Sequence, residues 1–330
     1  MTLHDNKTLF KEAVLATATQ KNLPDIYIEK DYWVTLALYT IFKSDIGSQA
    51  VFKGGTALAK CFQAIERFSE DIDLVVLRNT GEADNQLAKK IKKISESIED
   101  ILPAIDIEGI THKMGKIRKT AHSYQRAFDG DLGQIRQHIV LETTWLGHFE
   151  PYTTASIQSY ITEMMHHNDQ TKLIEEYGLQ SFDVRVLTLE RTFCEKLMSL
   201  VRFSFTKQPI LDLNNKVRHI YDIHKLLDNP TIHIFFDSKM FDEMLLKVAN
   251  DDIISFKNNN NWLSNPPSTA ILFSDTANTW QQIKKTYNTD FKNLVFGELP
   301  SEEAIFNTLN KVANRLKSIK WTIQLNQTTN

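Results

Sequence analysis

Two aspartates two residues apart, Asp71 and Asp73 in RFSEDIDLVV, carry the strongest chemical signal in this chain. The alternation in DIDLVVL predicts a strand over 71–77, with both carboxylates on one face and Ile72 and Leu74 turned to the core. Neighbouring carboxylates resist ionising together unless a cation lies between or beside them. A hard divalent cation such as Mg²⁺ (or Mn²⁺) resolves that conflict, because it takes oxygen ligands and leaves positions for water or substrate phosphates.

The complementary part lies just upstream, in VFKGGTALAK. Gly54 and Gly55 let the backbone approach a ligand closely and adopt positive φ. The helical run predicted just after them would aim its first amides at an anion, and Thr56 adds a hydroxyl there. A phosphate cradle beside a carboxylate pair suits a nucleoside triphosphate with its metal. Glu142, in the predicted strand HIVLETTW (138–145), shares a face with Val140 and Thr144, an environment that packing alone does not select for a carboxylate. Three acids holding two metals can activate an attacking hydroxyl and stabilise departing pyrophosphate. Each part alone has an ordinary reading: a Gly-Gly turn, an edge-strand Asp-x-Asp, a solvent-edge Glu. Their conjunction in this order is what is specific.

These residues need elements to position them. The periodicity predicts helices over 7–20 and 29–42, a short strand and turn at VFKGG, a helix at ALAKCFQAI with Leu58, Phe62 and Ile65 on one face, and an amphipathic helix at LAKKIKKISESIEDIL. After about residue 150 helical periodicity takes over, with helices over 189–204, 217–227, 239–249, 276–292 and 301–319, the last capped by Ser301-Glu302-Glu303. KNNNNWLSNPPS (257–268) reads as a loop. The expected architecture is α/β (α+β): a mixed sheet with helices in residues 1–150, and an α-helical domain over 151–330 that completes the site.

Composition narrows the classes further. The 330 residues are 42% hydrophobic and 24% charged, values typical of a globular protein with a sizeable core. The two cysteines, Cys61 and Cys194, form neither a disulfide framework nor a zinc site, and the ten histidines show no metal-binding pairing, so a reducing cytoplasm is the expected location. The first residues lack the pattern of a signal peptide, and YWVTLALYTIF is too short to span a bilayer. A net charge of −3 argues against coating nucleic acid by bulk electrostatics but leaves room for local basic patches. Two clusters qualify: Lys89, Lys90, Lys92 and Lys93, and the run from Lys113 to Arg126, where Tyr124 could stack on a base. Both also read as plain solvated surface.

The order strand, Gly-Gly, helix, Asp-x-Asp strand, later acid resembles the nucleotidyltransferase superfamily typified by DNA polymerase β. FKGGTALAK followed by RFSEDIDL is more closely similar to the AbiEii/AbiGii abortive-infection toxin family, as are YIEKDYWVTLAL, VRVLTLERTFCEKLMSL and RHIYDIHKLL, which together cover much of residues 20–230. The resemblance implies a phosphate loop at Lys53, Gly54, Gly55 and Thr56, metal-binding acids at Asp71, Asp73 and Glu142, Arg67 and Ser69 flanking the nucleotide, Lys196 on the triphosphate, and Asp222 as a further functional acid. Gly55, where many relatives have Ser, leaves Thr56 as the expected hydroxyl contact. The implied reaction moves an NMP from an NTP to an acceptor hydroxyl with release of pyrophosphate. The acceptor implied is RNA, a tRNA 3′ end, in a toxin neutralised by a cognate antitoxin of a type IV toxin–antitoxin or abortive-infection system, with no membrane involved. NMP transfer to a protein hydroxyl and a silent nucleotide-binding regulator are the alternatives. By their own spacing, Lys196 lies on or beside the polar side of its helix, and Arg218 and Asp222 could form a surface ion pair.

Overall fold

A computed structural model of the chain describes residues 1–129, 135–256 and 259–325. It divides into two compact units, Met1–Gln63 with Phe68–Trp145 and Tyr152–Leu187, and Ala64–Arg67 with Leu146–Pro151 and Thr188 onward.

The first unit is built on a seven-stranded mixed sheet. Its strands are β1 (Ala50–Lys53), β2 (Ile72–Val76), β3 (Ala104–Ile105), β4 (Ile117–His122), β5 (Ile139–Thr144), β6 (Tyr152–Ile157) and β7 (Phe182–Leu187), in the order β3-β4-β5-β2-β1-β7-β6. β2 lies antiparallel to β1 and parallel to β5, while β1 runs parallel to β7. Ile72, Leu74, Val75 and Val76 have no exposed surface, as expected of a central strand covered on both faces. Helices α1 (Lys7–Lys21), α2 (Asp25–Lys43), α3 (Gly54–Phe62), α4 (Asp84–Glu96), α5 (Tyr160–His167) and α6 (Thr171–Glu176) belong to this unit. One core gathers Phe10, Tyr32, Leu36, Phe52, Leu74, Leu141 and Val186.

Polar residues are built into this core as well. Glu29 accepts hydrogen bonds from the backbone amides of Ala127 and Phe128, and Asp31 accepts from Tyr160 N–H and pairs with Lys60. The Lys30 side chain has no exposed surface and donates to the carbonyls of Arg136 (2.8 Å) and His138 (2.6 Å). A short stretch of α2 thus ties down two points of the β4–β5 connection and the start of α5.

The second unit holds α7 (Leu189–Ser204), α8 (Pro209–Asn214), α9 (Val217–Leu227), α10 (Pro230–Phe236), α11 (Lys239–Ser255), α12 (Ile271–Ser274), α13 (Thr276–Thr286) and α14 (Glu302–Lys317). Thr188 caps α7 by accepting from Arg191 N–H, and Ser301 caps α14 by accepting from Ala304 N–H, the cap expected from sequence.

Several expected boundaries move. Helical structure does not take over at residue 150: β6 follows as an edge strand, and β7, whose FDVRVL alternates apolar and polar residues, lies between β6 and β1. α3 begins at Gly54 itself and ends at Phe62, so Ile65 lies beyond it. The helix expected from Leu87 starts at Asp84 and stops at Glu96. Lys113–Arg126 contributes strand β4. α11 runs on to Ser255, and α13 gives way to a π turn, Tyr287–Phe291. Residues 257 and 258 of the expected loop lie outside the described residues. Among the described residues no helix is long and apolar enough to cross a membrane.

Candidate active site

Sheet register assembles the first constellation. Lys53 on β1 pairs with Asp73 on β2, Asp73 pairs with Glu142 on β5, and Glu142 pairs with Lys119 on β4. Directly paired residues share a face, so four strands present a row Lys–Asp–Glu–Lys, two acids inside and a lysine at each end. Lys119 Nζ lies 3.3 Å from Glu142 Oε2. Burial, with Glu142 and Asp71 beside it, pushes the Asp73 carboxyl up to about 7, against the weaker pull of Lys53 and Lys119.

The Gly-Gly turn closes on this row. Gly54 enters α3 with a φ of +83°, where L side chains are strained, and a Cβ there would overlap the Asp73 carboxylate. The absence of a side chain is therefore required on both counts. Gly54 and Gly55 form the first turn of α3, whose unpaired amides begin beside the Asp73 acid.

Thr56 serves a different end from the one expected. It is 2% exposed, and its hydroxyl donates to the Asp71 carbonyl at 2.6 Å and lies 3.0 Å from Ser69 Oγ. A hydroxyl has one proton and a carbonyl only accepts, so the Thr56 hydroxyl pins the 69–71 turn to α3.

Asp71 precedes β2, and its carboxylate is hydrogen-bonded by Arg136. Arg136 was not singled out from sequence, where it sits in an unremarkable QIRQH, and only the fold carries it to Asp71, 65 residues away. Behind it lies Glu70, which accepts from Arg136 N–H at 2.9 Å and sits 3.4 Å from Lys30 Nζ. Burial outweighs that lysine and raises the Glu70 carboxyl above its ordinary value.

Asp71, Asp73 and Glu142 supply the all-oxygen, net-negative donor set that a hard divalent cation takes. Burial first, and then the neighbouring Glu142 and Asp71, disfavour an ionised Asp73, and a cation among the three would relieve the repulsion between them, so the residues fit it by chemistry. As they stand, Arg136 and Lys119 hold two of the three acids, and among the described residues no group of three or more His, Cys, Asp or Glu is clustered to hold a metal.

The second unit contains its own charged constellation. Arg67 grips Asp222 with two hydrogen bonds of 2.7 Å, and Lys196 Nζ lies 2.7 Å from the same carboxylate. Arg67 is 2% and Asp222 0% exposed. Burial alone would raise the Asp222 carboxyl, but the two cations hold it well below the usual carboxylate range. Arg67, expected beside the nucleotide, is buried against Asp222. Lys196 is buried rather than on a polar surface. Asp222 takes Arg67 and Lys196 as partners instead of forming an isolated surface pair with Arg218. His219 keeps a buried Nδ1 without a hydrogen-bond partner, and burial with Lys196 and Lys216 holds its ring neutral.

The basic clusters are partly structural. Lys90 bonds the Leu77 carbonyl and Glu82, and Lys92 pairs with Glu96. The Tyr124 ring packs against Trp33 and beneath Lys30 Nζ, so it serves the interior rather than base stacking. Cys61 and Cys194 are free thiols.

The family model described as nucleotidyl transferase AbiEii toxin, type IV TA system, matches residues 36–311. No curated protein matches in sequence. Among solved structures, MenT4, a nucleotidyltransferase toxin from Mycobacterium tuberculosis H37Rv, matches with a TM-score of 0.56 at 15% identity, covering 95% of this chain and 90% of that one. At that identity the likeness speaks for the fold, a mixed α/β sheet with many helices.

Proposed function

The chain belongs to the AbiEii family of nucleotidyltransferase toxins of type IV toxin–antitoxin systems, and on that premise we propose that it moves an NMP from an NTP to a hydroxyl of RNA. The observation that carries this reading is the approach of the Gly54–Gly55 helix start to Asp73, which itself faces Glu142. Amides able to hold phosphate and acids able to hold a divalent cation stand side by side.

In this reading Gly54 and Gly55 hold the phosphates through backbone N–H groups. Asp71, Asp73 and Glu142 would hold Mg²⁺ or Mn²⁺, which supplies charge neutralisation and activation of the attacking oxygen. The acceptor hydroxyl attacks the α-phosphorus, a new P–O bond forms, and the bond to the bridging oxygen breaks to release pyrophosphate. The hydroxyl proton passes to Glu142, whose side chain is 34% exposed against 26% for Asp71. Lys53 is proposed to counter phosphate charge. In the second unit, Lys196 is proposed as a triphosphate ligand and Asp222 as the residue that orients it, with Arg67 holding Asp222 in turn. Ser69 supports the turn through Thr56. A tRNA 3′ end is the proposed acceptor, and a cognate antitoxin the proposed partner.

The test uses purified protein, Mg²⁺, each α-labelled NTP in turn and total cellular RNA, with the Asp71→Asn/Asp73→Asn double variant as control. Label in an RNase-sensitive product, lost in the variant, is the expected result. Label confined to polypeptide would replace the RNA acceptor with a protein hydroxyl, and nucleotide binding without transfer would overturn the enzymatic reading.

A further inference from the structure

Arg136 combines a fixed backbone with a releasable side chain. Its N–H is bonded to Glu70 Oε1, and its carbonyl accepts from the fully buried Lys30. Both anchors are buried groups and hold the α-carbon in place. The Arg136 side chain is 35% exposed, and its guanidinium rests on Asp71, whose side chain is 26% exposed. Ion pairs this open to water contribute little and part easily. Nη1 also lies 3.8 Å from Glu70 Oε1.

Arg136 Nη1 donates to Asp71 Oδ1, and a divalent cation drawing on the same carboxylate would stand next to the guanidinium. Two cations beside one carboxylate repel, which drives the partly exposed Arg136 side chain off as the ion is taken up. Once displaced, the planar fork of donors is held on a short tether at the mouth of a site that receives a triphosphate, and phosphate oxygens match that fork as well as a carboxylate does. We propose that Arg136 is a place-holding counter-ion on Asp71 that transfers to the substrate phosphates when the cation binds. This inference rests on the assignment of Asp71 and Asp73 as metal ligands.

The consequence is coupling between two ligands. Displacing Arg136 weakens binding of the bare cation, and the new contact to phosphate recovers that loss when the nucleotide is present. Cation and NTP then bind with positive cooperativity, and by linkage each raises the affinity of the other equally. The same arrangement keeps Asp71 neutralised when no substrate is bound.

The experiment measures binding rather than turnover. Mn²⁺ is titrated into wild-type protein, Arg136→Gln, Arg136→Lys and Asp73→Asn, alone and with ATP, CTP, GTP or UTP, and folding of each variant is checked by thermal melting. Arg136→Gln is expected to bind Mn²⁺ alone about three- to tenfold more tightly, the effect of removing one partly exposed competing charge, yet to bind NTP more weakly and lose most of the cooperativity. Arg136→Lys keeps the charge without the fork, so its Mn²⁺ affinity should stay near wild type while its NTP affinity falls. Equal Mn²⁺ affinity and equal cooperativity in wild type and Arg136→Gln, with binding lost in Asp73→Asn, would overturn the Arg136 role alone. Mn²⁺ binding untouched by Asp73→Asn would place the ion elsewhere and overturn the metal assignment together with the inference.

Discussion

Asp73 and Glu142 stand opposite each other on parallel strands, and each has a lysine on its outer side, Lys53 next to Asp73 and Lys119 next to Glu142. Burial, together with the like charges of Glu142 and Asp71, pushes the Asp73 carboxyl up to about 7, and the flanking lysines only partly offset this. An arrangement that opposes its own ionisation is one that stability alone does not favour. Asp73→Asn and Glu142→Gln should each lower NMP transfer about a hundredfold or more, in line with loss of a transition-state charge contact. The melting temperature should hold or rise in Asp73→Asn, because a strained acid has been removed. Transfer assays paired with melting curves check both halves.

Gly54→Ala should damage the site through geometry rather than charge. The position requires a φ of +83°, and the added methyl would strike Asp73. A non-glycine residue in that region costs about 1–2 kcal/mol, and the displaced carboxylate should weaken NTP binding as well. Chemical denaturation and nucleotide titration of the variant would reveal the two effects separately.

Thr56 is a positioning residue, so its loss should be read in turnover more than in affinity. Thr56→Val removes the hydrogen bond to the Asp71 carbonyl and leaves that acceptor without its donor, a cost of about 1–3 kcal/mol. The expected result is a lower kcat with little change in KM. Thr56→Ser keeps the donor and should recover most of the activity.

Asp222→Asn would leave Arg67 and Lys196 buried without their counter-charge. Breaking a buried pair in this way costs about 3–5 kcal/mol, so the variant should unfold at markedly lower denaturant. The wild-type pH dependence follows from the depressed Asp222 carboxyl. Its contribution is fully present above the ordinary aspartate value of about 3.9 and is lost as pH falls below it towards the folded value. Stability measured between about pH 5 and 2 should therefore drop more steeply in wild type than in Asp222→Asn.

Asp252 gives the opposite sign. Burial, with Glu195 beside it, raises its carboxyl to about 7, against the pull of Arg202 and Arg191. A raised acid binds more protons in the folded state, so its contribution is greatest below the unfolded value and is lost as pH rises through about 7. Asp252→Asn should consequently gain stability relative to wild type at pH 8 but not at pH 4, as thermal melts at the two values would show.

The sequence by itself determined what depends on neighbours along the chain. The Asp-x-Asp spacing, the Gly-Gly start of a helix, the Ser301 cap and the helices over 189–204 and 217–227 are all local patterns of period, capping and turn chemistry, and the family motifs were legible for the same reason. The tertiary structure alone decided what depends on partners far away. Strand register set Lys53 and Glu142 on either side of Asp73. Arg67 met Asp222 across 155 residues, and Arg136 reached Asp71 across 65. Strand β7 (FDVRVL) carries a legible alternation that a helical reading of the second half passes over, whereas β6 has a weaker pattern and owes its place to pairing with β7. Lys30 reads as an ordinary polar residue and Thr56, Arg67 and Lys196 as nucleotide contacts, and only the fold shows the buried partner that each one takes. Hydrophobic period specifies which face turns inward, but a buried charge is explained only by the group that neutralises it, and that group comes from elsewhere in the fold.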